Sequence, residues 1–157
     1  MYQGKLLAIY ITPAAGQPLQ LVEQAHAVPG KGLEGDRYFL ETGSYSDHPG
    51  PDREITLIEI EALQALKDES GLDLSQPEAR RNLVTQGVPL NHLVGKEFQV
   101  GEVRLRGVRL CEPCSYLARL TQAEVLPALI HRGGLRAAVL NDGILRQGDA
   151  IIAKISN

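Results

Sequence analysis

Short runs of β-branched and aliphatic residues, each cut off by glycine or proline, recur along the whole chain, the pattern of a strand-rich protein. Lys5 to Thr12 reads as a first strand stopped by Pro13, and the alternation from Leu19 to Val28 reads as a second. The clearest signal lies between Lys96 and Leu110. There Glu97 to Val100 turns at Gly101-Glu102 into Val103 to Leu110, whose apolar positions are odd-numbered before Gly107 and even-numbered after it. A phase change at a glycine is what a β-bulge or a barrel corner produces. Glu54 to Leu57, Asn82 to Thr85 and Ala150 to Ile155 add further strands, and Asn141-Asp142-Gly143 predicts a hairpin turn between Leu135–Leu140 and Ile144-Leu145.

Helical periodicity is scarcer. Ile58, Ala62, Leu63, Ala65 and Leu66 form an apolar stripe that predicts a helix from about Ile58 to Lys67, stopped by Gly71. Pro77 to Arg80 predicts a short turn or helix. Thr121 and Glu124 form a capping box before Val125-Leu126 and Leu129-Ile130, with Pro127 keeping that helix short and Gly133-Gly134 ending it. Seven or more strands with two or three short helices predict a mostly β protein, a closed or partly closed barrel, in one domain over residues 1–157.

Charge adds an asymmetry. The net charge is −3, yet Met1 to Ala79 holds five Lys/Arg against thirteen Asp/Glu, and Arg80 to Arg136 holds nine against four. An acidic whole argues against duplex nucleic acid, which needs a broad basic face, while the basic half suits a small anion. The run Leu6 to Ile11 is too short for an export signal or a membrane span, so a cytoplasmic protein with no membrane partner is expected.

Both cysteines fall within that basic half, as Cys111-Glu112-Pro113-Cys114. Nearby positive charge stabilises thiolate and raises its nucleophilicity and metal affinity. Buried thiols, a zinc ligand pair and a thioredoxin-like site are the competing readings. Zinc lacks a second ligand pair, and the motif follows a predicted β-hairpin instead of opening a helix. Arg81 and Asn82, after Arg80, suit phosphate recognition by forked hydrogen bonds. Arg104 and Arg106 share one strand face and read as barrel exterior, whereas Arg109 lies past the phase change and close to Cys114. His131 could shuttle protons, and Gly133 and Gly134 free backbone N–H groups for an anion, with Arg136 close by. Asp36, in a loop with three glycines from Pro29 to Tyr38, could orient a ligand. His48 sits in a polar loop, and His26 and His92 carry no signal of their own.

Taken in order, Gly32-Leu33-Glu34-Gly35-Asp36-Arg37, Arg81-Asn82-Leu83, the glycine-leucine stretch from Gly87 to Gly95, Phe98 to Gly101, Pro113-Cys114 and Gly148-Asp149 resemble the MOSC domain. The resemblance runs from about Lys5 to Ile155. It implies a β-barrel that binds molybdenum cofactor, a pyranopterin dithiolene with a phosphate, and a molybdenum-ligating or persulfide-carrying role for Cys114. Relatives reduce hydroxylamines, amidoximes and modified bases, or serve as sulfuration domains. Compared with the longer reductases, a preceding β-rich domain is not expected, and the chain adds Cys111, which the motif does not require.

The leading expectation is therefore a molybdenum-dependent reductase of small N-hydroxylated compounds. In it Cys114 ligates the metal, Arg81 and Asn82 hold the phosphate or pterin edge, and Arg109, Arg136, Gly133 and Gly134 assist. Asp36 and His131 would line the substrate side. With no flavin or iron–sulfur motif, a separate electron-donor protein is expected. A persulfide carrier with a sulfur donor or acceptor protein, and a non-enzymatic cofactor carrier, remain the alternatives.

Overall fold

The computed structural model describes residues 2–42, 50–111 and 132–153. Seven strands close into a barrel. β1 (Gln3–Ile11) pairs with β11 (Ala150–Ala153) on one side and with β6 (Leu83–Gln86) on the other. The circuit between them runs from β11 through β7 (Glu97–Val100), β8 (Val103–Leu110), β9 (Leu135–Val139) and β5 (Ile55–Glu59) to β6. All these neighbours are antiparallel except β5 and β6, and parallel strands need a long crossover. α1 (Ile60–Ser70) supplies it, followed by a short 3₁₀ turn at Pro77–Ala79.

Closure leaves an interior filled by Leu6, Ile9, Ile55, Leu57, Leu83, Phe98, Val103, Leu105 and Leu135, all fully buried. A second apolar cluster lies between α1 and the outer barrel wall, where Ala62, Leu63 and Leu66 meet Ala8, Tyr10, Ile58 and Val84. The helix starts two residues later than its periodicity predicts because Ile58 and Glu59 still pair with Val84 and Thr85. Its end is as predicted, with Gly71 at φ 68° donating to the Lys67 carbonyl.

The β8–β9 register slips between Gly107 and Arg109, where the apolar phase changes. Gly107 is required there, since a Cβ would lie inside van der Waals contact with the Leu93 carbonyl. Past the slip Arg109 is exposed, while Val108 and Leu110 are half-buried.

Two expectations need correction. The run Leu19–Val28 is two strands, β2 (Gln20–Val22), which extends the barrel sheet along β1, and β3 (Gln24–Val28), which belongs to a separate sheet. That sheet has the order β10 (Gly143–Arg146), β3, β4 (Gly32–Leu33). Consequently β9 and β10 are not a hairpin. The Asn141 side chain accepts from the Arg104 N–H and donates to the Glu102 carbonyl, so the corner is tied to the β7–β8 turn and the chain crosses to the second sheet. The capping-box helix after Thr121 and the end of the last strand at Ile155 lie outside the described residues. No helix among the described residues is long and apolar enough to cross a membrane.

Candidate functional site

The neck of the cysteine-bearing segment is built first, because its two ends are held together. Cys111 follows β8 and donates its N–H to the Gly134 carbonyl at 2.7 Å, just before β9. Arg81 enters the neck from the start of β6. Its Nε donates to the Gly133 carbonyl at 2.8 Å, one terminal nitrogen to the Cys111 carbonyl at 3.3 Å, and the other to Ala79 at 3.4 Å. The guanidinium is buried. Its forked donors thus span carbonyls from three chain segments, a geometry a lysine cannot reproduce.

Asn82 is sealed, and both ends of its amide are hydrogen-bonded. Its amide oxygen accepts from the Thr56 N–H and hydroxyl, and its amide nitrogen donates to the Tyr10 carbonyl. This side chain stitches β1, β5 and β6, and through that stitch it aims the neighbouring Arg81. A phosphate-gripping role was expected of both residues. The structure places both side chains under the neck, hydrogen-bonded to carbonyls of the chain itself. Gly133 and Gly134 present their carbonyls inward, to Arg81 and Cys111. Gly134 sits at φ 108°, and any Cβ would collide with the Leu57 carbonyl.

Beside the neck stand Arg136, Arg109 and Arg53 around Asp52. Arg136 is buried and donates to the Asp52 carbonyl at 3.2 Å and to Tyr38. Burial works against its charge, and the nearby Cys111 sulfur, Tyr38 and Asp52 outweigh that, raising its pKa. Arg109 is half exposed and pairs with the Asp52 carboxylate at 2.8 Å, and Arg53 approaches the same carboxylate at 3.3 Å. Burial pushes the Asp52 carboxyl up, but the Arg109 hydrogen bond and both arginine charges hold it below its ordinary value. Cys111 carries a free thiol that is itself buried.

Asp36 is also sealed. Its carboxylate accepts from the Thr12 N–H, the Tyr38 N–H and Arg37, which in turn donates to the Arg80 carbonyl and stacks over the Tyr38 ring at 4.7 Å. Asp36 therefore shapes the loop that presents Tyr38. The glycines of that loop serve chain-to-chain packing: Gly30 donates to the Glu54 carboxylate, and Gly32 lies against the Glu54 carbonyl. Burial raises the Glu54 pKa, although the Val139 and Gly30 N–H groups that bond it pull the other way.

Tyr38 is the link to a cavity of about 180 Å³ that sequence reasoning did not single out. Lys31, Tyr38, Phe39, Glu41 and Arg53 line it, with Lys31 lying 5.4 Å over the Phe39 ring. The only sequence signal was the glycine-rich loop itself, since none of these residue types is conspicuous alone. Cys114, His131 and His48 lie outside the described residues. Arg104 and Arg106 are exposed on the barrel exterior, as expected. Among the described residues no three His, Cys, Asp or Glu side chains gather as a metal site.

Comparison with known proteins adds a family match over most of the chain: the MOSC domain, at residues 44–152. The structure of YuaD from Bacillus subtilis superposes with a TM-score of 0.79 at 18% identity, over 96% of this chain and 97% of that one. YiiM from Geobacillus stearothermophilus gives 0.74 at 16%, covering 97% and 75%, and YiiM from Escherichia coli gives 0.67 at 18%, covering 100% and 72%. At such identities the likeness is one of fold. No curated protein matches significantly.

Proposed function

The chain belongs to the MOSC domain family, which is associated with molybdenum cofactor, and from that premise we propose a cofactor-binding reductase of N-hydroxylated compounds. The observation that carries the proposal is the arginine cluster at the neck of the segment that bears Cys114. Arg136 and Arg109 stand within one hydrogen-bonded group around Asp52, at the point where the chain leaves β8 for that segment.

This donor set suits the group. A phosphorylated dithiolene is anionic, and Arg136 and Arg109 offer forked cationic donors of the kind that recognise phosphate. A soft thiolate from Cys114 is the protein ligand expected for a metal already bound to sulfur. The 180 Å³ cavity is smaller than the roughly 300 Å³ lower bound of pockets for drug-sized ligands, so it suits a small substrate and not a pterin. The cofactor, when bound, supplies the two-electron removal of oxygen, and the protein supplies orientation and electrostatics.

In this reading the residues of the chain divide the work. Arg136 and Arg109 hold the anionic end of the cofactor, and Arg109 exchanges part of its pairing with Asp52 to do so. Arg81 holds the neck closed, so the chain leaves Cys111 in a defined direction. Asn82 positions Arg81, and Asp36 positions Tyr38 between the cavity and Arg136. His131 would move a proton on the substrate side, and electrons would come from a separate protein.

Protein made with ample molybdenum is expected to hold about one metal per chain, lost in Cys114→Ser, and to reduce an amidoxime with an artificial electron donor. Full metal retention by Cys114→Ser would remove that residue from the ligand role. A cyanide-labile sulfur on metal-free protein would point to a sulfur carrier, and bound cofactor without turnover to a cofactor carrier.

A further inference from the structure

The cavity beside the neck shares Arg53 with the arginine cluster but otherwise has a composition of its own. Among the described residues two flat rings, Tyr38 and Phe39, and two cations, Lys31 and Arg53, line it, with the carboxylate of Glu41. Its volume of about 180 Å³ is close to the roughly 150 Å³ that accommodates a benzene-sized ring. Lys31 is exposed and lies over the Phe39 ring, where a cation gains from the ring's negative face. The same cation can pair with an anion on any ring that enters. Tyr38 forms the wall shared with the cofactor side, since it lines the cavity while accepting a hydrogen bond from Arg136.

We propose that this cavity is the substrate subsite and that it selects a single aromatic ring carrying an anionic group as well as the N-hydroxyl function. The rings of Tyr38 and Phe39 flank the substrate ring, and Lys31 receives a carboxylate, with Arg53, which also pairs with Asp52, beside it. The inference rests on the reductase reading for the identity of the N-hydroxyl group, but the preference for a flat anion stands on the cavity alone.

Binding tests it without turnover. Calorimetric titration of the purified protein would compare 4-carboxybenzamidoxime with uncharged benzamidoxime and with cationic 4-(aminomethyl)benzamidoxime. The carboxylate is expected to bind about 3- to 10-fold more tightly than the neutral probe, the scale of one or two ion pairs in a half-exposed site. That margin should shrink in 0.5 M salt, where screening lengths fall below about 5 Å. Lys31→Glu, at an exposed turn, should abolish the margin and favour the cationic probe. Phe39→Leu should weaken all three probes together. Equal binding of the three probes, or a margin unchanged in Lys31→Glu, would overturn the proposal. Charge-selective binding by a molybdenum-loaded protein without turnover would refute the reductase reading and leave the subsite standing. Turnover indifferent to probe charge would do the reverse.

Discussion

Replacing Arg81 with methionine tests the neck directly, because methionine keeps comparable length and apolar contact but donates nothing. Three hydrogen bonds disappear, of which those to Gly133 at 2.8 Å and Cys111 at 3.3 Å carry most of the energy. A hydrogen bond from a charged donor is worth about 1.5–3 kcal/mol, and a buried carbonyl left without a donor costs about 1–3 kcal/mol. Relief of the buried guanidinium's desolvation offsets part of that. The net expectation is a loss of about 3 kcal/mol, or roughly 6–12 °C in Tm for a domain of this size. Urea unfolding followed by circular dichroism would measure it, with Arg109→Gln as the internal control. Arg109 is half exposed, so losing its pair with Asp52 should cost under about 1 kcal/mol. Arg81→Lys should recover little of the loss, because an ammonium is a point donor and cannot bridge two carbonyls as a fork does. Hydrogen exchange at the Cys111 amide, bonded to Gly134, should accelerate in Arg81→Met and not in Arg109→Gln. If Arg81→Met were as stable as Arg109→Gln, the neck would not depend on this side chain, and its position would have to be explained by a bound anion instead.

Two further perturbations follow from the geometry. Gly134→Ala forces a Cβ into the Leu57 carbonyl at φ 108° and should cost more than about 3 kcal/mol, whereas Gly148→Ala, at φ 94° with open space around it, should cost only about 1–2 kcal/mol of backbone strain; thermal unfolding separates them. His26 bridges Asp142 at 2.6 Å and Glu34 at 3.1 Å, and the Asp142 hydrogen bond, followed by that of Glu34, raises its pKa above 6.5. Because the folded state then binds the proton more tightly than the unfolded chain, the contribution of His26 is fully present below pH about 6.5 and is lost as pH rises through the raised value. An NMR titration of His26 should show the raised midpoint, and His26→Gln should flatten the pH dependence of stability over that window; a midpoint at or below 6.5 would refute the clamp.

Local pattern and long-range partnership divide what was legible. The two strands of the β7–β8 hairpin, the phase change at Gly107 and the stop at Gly71 were readable in the sequence because each depends on residues within a few positions of one another. The resemblance to the MOSC domain, resting on ordered short motifs, likewise survived comparison with known proteins. The break at Glu23 was invisible, since Leu19, Leu21, Ala25 and Ala27 keep one alternation while the chain changes sheets. The false hairpin at Asn141 arose the same way, because an Asn-Asp-Gly turn is a local signal and the bonds to Arg104 and Glu102 that redirect it are not.

The site shows the same division. Sequence alone established that arginines and a cysteine pair concentrate in one half of the chain, and that a glycine-rich loop precedes them. Only the folded barrel decided which arginine meets which partner: Arg81 and Asn82 face carbonyls of their own chain, while Arg109 and Arg136 gather at Asp52. Likewise it brought Lys31, Tyr38 and Phe39 against Arg53 to form a cavity. The physical reason is that residue type sets what a side chain can donate or accept, whereas its partner depends on closure between strands far apart in sequence.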